Sequence, residues 1–210
     1  MTSQLDTRAT GIWAHLFQYG IEELRRAYNA AREAPDRDRA RLDREWEELE
    51  AEVVAGRASF AEEDADGRII YDRGERAGEM AAETEAILRI IREAFAISLH
   101  HFWEREMIAR MKCSRYDEKQ AFTYLKGKNA TPREVGLTTL RLAANVAKHS
   151  EGTSAKRLHE LRSDLFDNEA MKRFGDPPGY EHLRITDEVI DEFFETVRLS
   201  GPQRRRLRSS

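Results

Sequence analysis

Apolar residues recur along this chain at three- and four-residue spacing, and almost nowhere at a spacing of two. Trp13, Leu16, Phe17, Ile21, Leu24 and Tyr28 share one face of a helix over 11–33. Pro35, inside "APDRDRA", is expected to break it. A second, highly charged helix over 37–55 carries Leu42, Trp46, Leu49 and Val53 on one stripe. "FAEEDADGRIIYD" reads as a connector with a turn at Asp66-Gly67, and its "RIIY" lacks a second strand to pair with.

A long helix is predicted from about Arg76 to Met111. Met80, Ile87, Ile91, Phe95, Leu99, Phe102 and Met107 form its stripe, and Ile90, Ile97 and Trp103 widen it. Asp117 opens a short helix to about 126. "TPRE" then places Thr131 as N-cap, Pro132 at the first helical position and Glu134 three residues after the cap, which predicts a helix over 132–149 ended near Gly152. "TSAKRLHELR" is a further short helix, "FGDPPGYEHLR" a loop, and a last helix starts near Thr186 with Val189, Ile190, Phe193, Phe194 and Val197 inward. The expected fold is all-α: an antiparallel helical bundle with a long central helix and an N-terminal helical hairpin. Residues 1–70 form the hairpin segment, 76–198 the bundle, and 201–210 a basic disordered tail with four arginines.

Composition narrows the class. With 210 residues, nine Phe, six Tyr and three Trp, the chain can bury a real core despite 35% charged residues. A net charge of −4 does not advertise nucleic acid. The single cysteine, Cys113, excludes an intramolecular disulfide and reads as an idle thiol in a reducing compartment. The N-terminal residues lack the pattern of a signal peptide, and no window approaches the run of about 20 apolar residues that a spanning helix needs. These features predict a cytoplasmic protein with no membrane partner.

The candidate chemistry lies on two helices. In "LTTLRLAANVAKHSEG" the apolar residues cover nearly the whole circumference, so the helix is expected to be central. Arg141, Asn145 and His149 nevertheless recur along it every four residues, beside Lys148. One account is structural: Asn145 and His149 cap or bridge, Arg141 pairs with an acid on the long helix, and His149 and Lys148 suit the negative end of the helix dipole. The other is functional: the residues line a groove or a dimer seam, where His149 moves a proton near neutral pH. On the long helix, "ISLHHFWERE" gathers His100, His101, Glu104 and Glu106. Spacings of three and four put His101 and His100 on a shared face with Glu104, as metal ligands on a helix must be, with His149 as the second donor. The ordinary account of that cluster is a polar seam beside Phe102 and Trp103. Glycine-rich phosphate loops, a nucleophile elbow and zinc-finger spacing are all absent from the sequence.

"REAFAISLHHFWEREM" followed by a helix ending in "ANVAKH" resembles the HEPN superfamily, helical proteins of bacterial toxin–antitoxin and phage-defence systems. In that family's signature an Arg and a polar residue precede a His by a fixed interval. Asn145 matches the polar position and His149 the His, while Ala144 stands where the family has Arg. The resemblance implies a homodimer in which two such helices line a cleft, and metal-independent cleavage of RNA through the ribose 2′-hydroxyl. His149 would then handle the proton, Asn145 would orient it, and Arg141 or Lys148 would stabilise phosphate charge, with Glu104 also at the substrate. No cofactor is implied. Three readings follow: a HEPN-like ribonuclease, a non-catalytic helical module that binds RNA or a protein partner, and a metal- or ligand-binding bundle using His100, His101, Glu104 and His149.

Overall fold

A computed structural model describes residues 2–149 and 152–203, with side chains from residue 11 onward. The arginines of the tail from 204 on lie outside the described residues. The described chain is almost entirely helical: α1 Thr2–Val54, α2 Arg73–Met111, α3 Glu118–Gly127, α4 Glu134–His149, α5 Thr153–Leu161, α6 Asn168–Phe174 and α7 Asp187–Ser200. A short antiparallel hairpin, β1 Ala61–Glu63 and β2 Ile69–Asp72, joins α1 to α2. No helix among these residues is long and apolar enough to cross a membrane.

Two expectations fail at the N-terminal end. Pro35 lies inside α1 and does not break it. A proline removes one backbone donor and crowds the preceding turn. Here two side-chain ion pairs straddle that turn, Arg32 Nε donating to Asp36 Oδ2 at 2.7 Å and Arg37 Nη1 to Glu33 Oε1 at 2.7 Å. The supposedly unpaired "RIIY" does have a partner strand. The "AEE" of β1 carries no strand propensity, and the hairpin is made by its turn. Asp64 Oδ1 accepts from the backbone N–H of both Asp66 and Arg68, and Gly67 takes φ +76°, which its missing Cβ permits.

The described residues fall into two compact units, and both long helices contribute to each. The arm, Asn29–Ile91, contains the second part of α1, the hairpin and the first part of α2. Trp46 stacks on Phe60 with ring centroids 5.4 Å apart, and Arg39 pairs with Glu85. The bundle comprises residues up to Tyr28 and those from Arg92 on.

In the bundle, Trp13, Ala14, Phe17, Ile21 and Tyr28 are the buried face of α1, while Leu16 is exposed. Ala96, Leu99, Phe102, Trp103 and Met107 are buried on α2. Phe17 packs against Phe102 and Trp103 at centroid distances of 5.3 and 6.2 Å. Earlier on α2 the expected stripe is displaced: Ile87 and Ile90 are exposed, and Leu88 is buried in their stead. The α7 face is buried as the spacing predicts, at Val189, Ile190, Phe193, Phe194 and Val197.

Charge is also buried in the bundle. Arg92 donates from Nε and Nη2 to the two carboxylate oxygens of Asp187 at 3.0 and 3.1 Å, and the Tyr28 hydroxyl donates to the same carboxylate. Burial alone would lower the Arg92 guanidinium, but the hydrogen bonds and charge of Asp187 outweigh it and raise the pKa. Asp187 is the first residue of α7, where a carboxylate also suits the positive end of the helix dipole.

The helix starts are mostly where their caps lie. Asp117 accepts from Gln120 N–H at 2.8 Å, and Thr186 accepts from Val189 N–H at 3.4 Å. The expected start of α4 differs. The helix begins at Glu134, two residues after Pro132, and the Arg133 N–H donates to Ser200 Oγ at 2.8 Å. The α7 hydroxyl competes with the local capping box and fixes the entry from outside. Gly152, expected to close α4, instead precedes α5 with φ +128°. The "FGDPPGYEHLR" loop is held down by Asp167 N–H donating to His182 O and Arg184 N–H to Leu165 O, each at 2.8 Å.

Candidate functional site

The bundle's unusual chemistry collects where α2, the start of α3 and the end of α4 meet. Seven of the sixteen α4 residues are buried, among them Leu140, Ala143 and Ala144 at no exposure, so α4 is central as its composition predicts. From Leu137 to Ala147 no residue of α4 is fully exposed; Lys148 and His149 then emerge into solvent. The helix carries Lys148 and His149 in its last turn, where the exposed carbonyls favour positive charge.

Arg141 and Asn145 are half-buried. Arg141 donates from Nε and Nη2 to the two oxygens of Glu118 at 3.0 and 3.3 Å. Its partner is thus the first residue of α3 and not an acid on α2. A fork-to-fork pair of this kind is directional and engages the guanidinium. Ala144 is fully buried.

The α2 side of the site is the histidine pair. His101 is exposed, and its Nδ1 lies 3.1 Å from Glu104 Oε2. His100 is 3% exposed, with Nδ1 3.6 Å from the same oxygen, too far for a hydrogen bond. Both ring nitrogens of His100 lack a hydrogen-bond partner among the described residues. The other buried histidine is treated differently, since His182 Nε2 meets Asp176 Oδ2 at 3.1 Å. Burial, reinforced by the positive charges of Lys148, His101 and Arg141, pushes the His100 imidazole down to about 3. It is therefore neutral near pH 7, with a free lone pair. Lys148 and Arg141 on α4 thus act on the ring of His100 on α2, which ties the two candidate clusters into one region.

Tyr116, in the connection before α3, closes this region, and sequence reasoning did not single it out. Its ring stands edge-on to His100 at 6.3 Å and 89°, and its hydroxyl accepts from Trp103 Nε1 at 3.0 Å. Burial pushes the phenol up to about 12. The one signal in the sequence was its position immediately before the Asp117 cap, which fixes Tyr116 and Glu118 on either side of a helix start. Glu106, grouped with the histidines by sequence, belongs elsewhere: its Oε2 accepts from Trp13 Nε1 at 3.2 Å.

The region therefore offers an exposed His149 and Lys148, a half-buried Asn145, an Arg141 paired with Glu118 and a His100–His101–Glu104 cluster. The chain matches no protein-family model, no curated protein and no solved structure.

Proposed function

We propose that the protein acts on RNA as a HEPN-like helical protein, with the exposed end of α4 as its working surface. One observation carries the reading: a helix with no exposed residue from Leu137 to Ala147 surfaces at Lys148 and His149, a cation and a proton carrier. His149 accepts the proton of a ribose 2′-hydroxyl as that oxygen bonds the neighbouring phosphorus; the P–O5′ bond breaks, leaving a 2′,3′-cyclic phosphate, and the departing 5′-oxygen takes a proton from water, while Lys148 stabilises the charge that gathers on the phosphate oxygens. Asn145, one turn earlier, orients His149. Arg141 is a positioning residue, since Glu118 already holds its guanidinium. Glu104 borders the substrate from α2. A homodimer in the cytoplasm, with two α4 ends facing a shared cleft, and a role in toxin–antitoxin or phage-defence biology, belong to the same proposal.

A second reading has its own support. Ala144 is fully buried and Arg141 is engaged, so the arginine of the family's signature has no equivalent free to meet a phosphate. That favours a non-catalytic module that binds RNA or a protein partner.

The two are separated by incubating the full chain with RNA in EDTA, beside His149→Ala and Lys148→Ala. The nuclease reading expects cleavage that persists in EDTA and falls by about 10²-fold or more in His149→Ala. Saturable RNA binding without cleavage, weakened in Lys148→Ala, establishes the non-catalytic RNA module. Absence of both cleavage and binding removes RNA from the function.

A further inference from the structure

We infer that His100, His101 and Glu104 bind a divalent first-row transition-metal ion of the zinc, cobalt and nickel class on the face of α2.

The geometry comes from one helix. At about 100° per residue, Glu104 lies about 40° round the axis from His100 and about 60° from His101, one turn further along. The carboxylate is therefore bracketed by the two imidazoles. One donor atom from each residue falls within 4.8 Å of the others. Donors bound about 2.0–2.2 Å from a common ion in tetrahedral array stand roughly 3.3–3.5 Å apart. The His101–Glu104 and His100–Glu104 separations of 3.1 and 3.6 Å bracket that spacing.

The second observation is the state of His100. Its side chain is almost wholly enclosed, yet neither ring nitrogen has a hydrogen-bond partner among the described residues. Buried polar groups in folded proteins are paired with few exceptions, as His182 is by Asp176. The unpaired Nδ1 of His100 faces the carboxylate oxygen that His101 also faces, and an ion seated among them completes its coordination.

The donor set selects the ion. Two imidazoles and a carboxylate suit zinc, cobalt or nickel, whereas magnesium and calcium want oxygen throughout. Access is from solvent, because His101 is exposed. Of the cations that act on His100 from α4, Arg141 is ion-paired with Glu118 and Lys148 is exposed. Three protein donors leave the remaining positions to water.

The inference is independent of the RNA reading, which is tested in EDTA. The full chain is titrated with Zn2+ by calorimetry and with Co2+ by visible absorption. The variants are His101→Ala and Glu104→Gln, whose side chains are not core, with His149→Ala and His15→Ala as controls. Circular dichroism checks that each is folded. One equivalent of metal is expected, with affinity lowered at least about tenfold in each ligand variant and unchanged in both controls. Affinity unchanged in His101→Ala and Glu104→Gln, or no saturable binding by the parent protein, overturns the site.

Discussion

His100 concentrates the chemistry of the molecule in one side chain. In an unfolded chain an imidazole takes up its proton near pH 6.5, while in this fold His100 resists it down to about pH 3. Between those values the unfolded state holds more protons, so this group's contribution to stability is complete above about pH 6.5 and is lost as the pH falls. Urea unfolding in EDTA at pH 7 and at pH 4.5, compared between the parent and His100→Gln, isolates the effect. The parent should lose about 2–3 kcal/mol more than the variant over that interval. Parallel losses in the two proteins would show that His100 is not the group responsible. Arg92 is the opposite case, a charge that stays buried because Asp187 and its hydrogen bonds go in with it.

Among the elements, packing at close approaches decides what local propensity leaves open. Gly201 ends α7, and a Cβ there would sit 2.0 Å from the ring of Phe17, which is fully buried. Gly201→Ala should therefore cost about 1–3 kcal/mol in chemical denaturation, through overpacking and not through backbone strain. Gly78 lies in the interior of α2 with nothing within 4 Å of the same added carbon. Gly78→Ala should stabilise by roughly 0.4–1 kcal/mol, because the helix is kept and the unfolded chain is restricted. The same distinction explains which elements were legible. Asp117 and Thr186 carry their own caps, and those starts could be read directly. The α4 start could not, because Ser200, distant in sequence, accepts the Arg133 N–H. Pro35 misled for a related reason, since a breaking signal was read without the ion pairs on either side of it.

For the whole molecule the division into two units is the consequential feature. Tyr28 and Arg92, the last and first bundle residues at the boundary, both bond Asp187, and Tyr28 also packs on Phe95 at 5.3 Å. The two chain ends created by removing Asn29–Ile91 are thus fixed near one another within the bundle. A chain with those residues replaced by a short glycine–serine linker should fold into a helical protein that unfolds cooperatively and keeps the His100–His101–Glu104 cluster. A molten chain with no cooperative transition in circular dichroism would show instead that the bundle depends on the arm.

The sequence by itself determined the helical class, the central position of α4, the inward face of α7 and the emergence of Lys148 and His149 at a helix end. All of these depend on spacing within a single element, at a period the chain itself displays. Tertiary structure alone decided that Arg141 is spent on Glu118, that Tyr116 leans on His100, that Leu88 and not Ile87 is buried, and that "AEE" forms a strand. Those outcomes depend on which side chains from distant segments reach the same place. The isolation of His100 is of this second kind: the sequence supplies the histidine, and only the packing around it encloses the ring without a hydrogen-bond partner among the described residues.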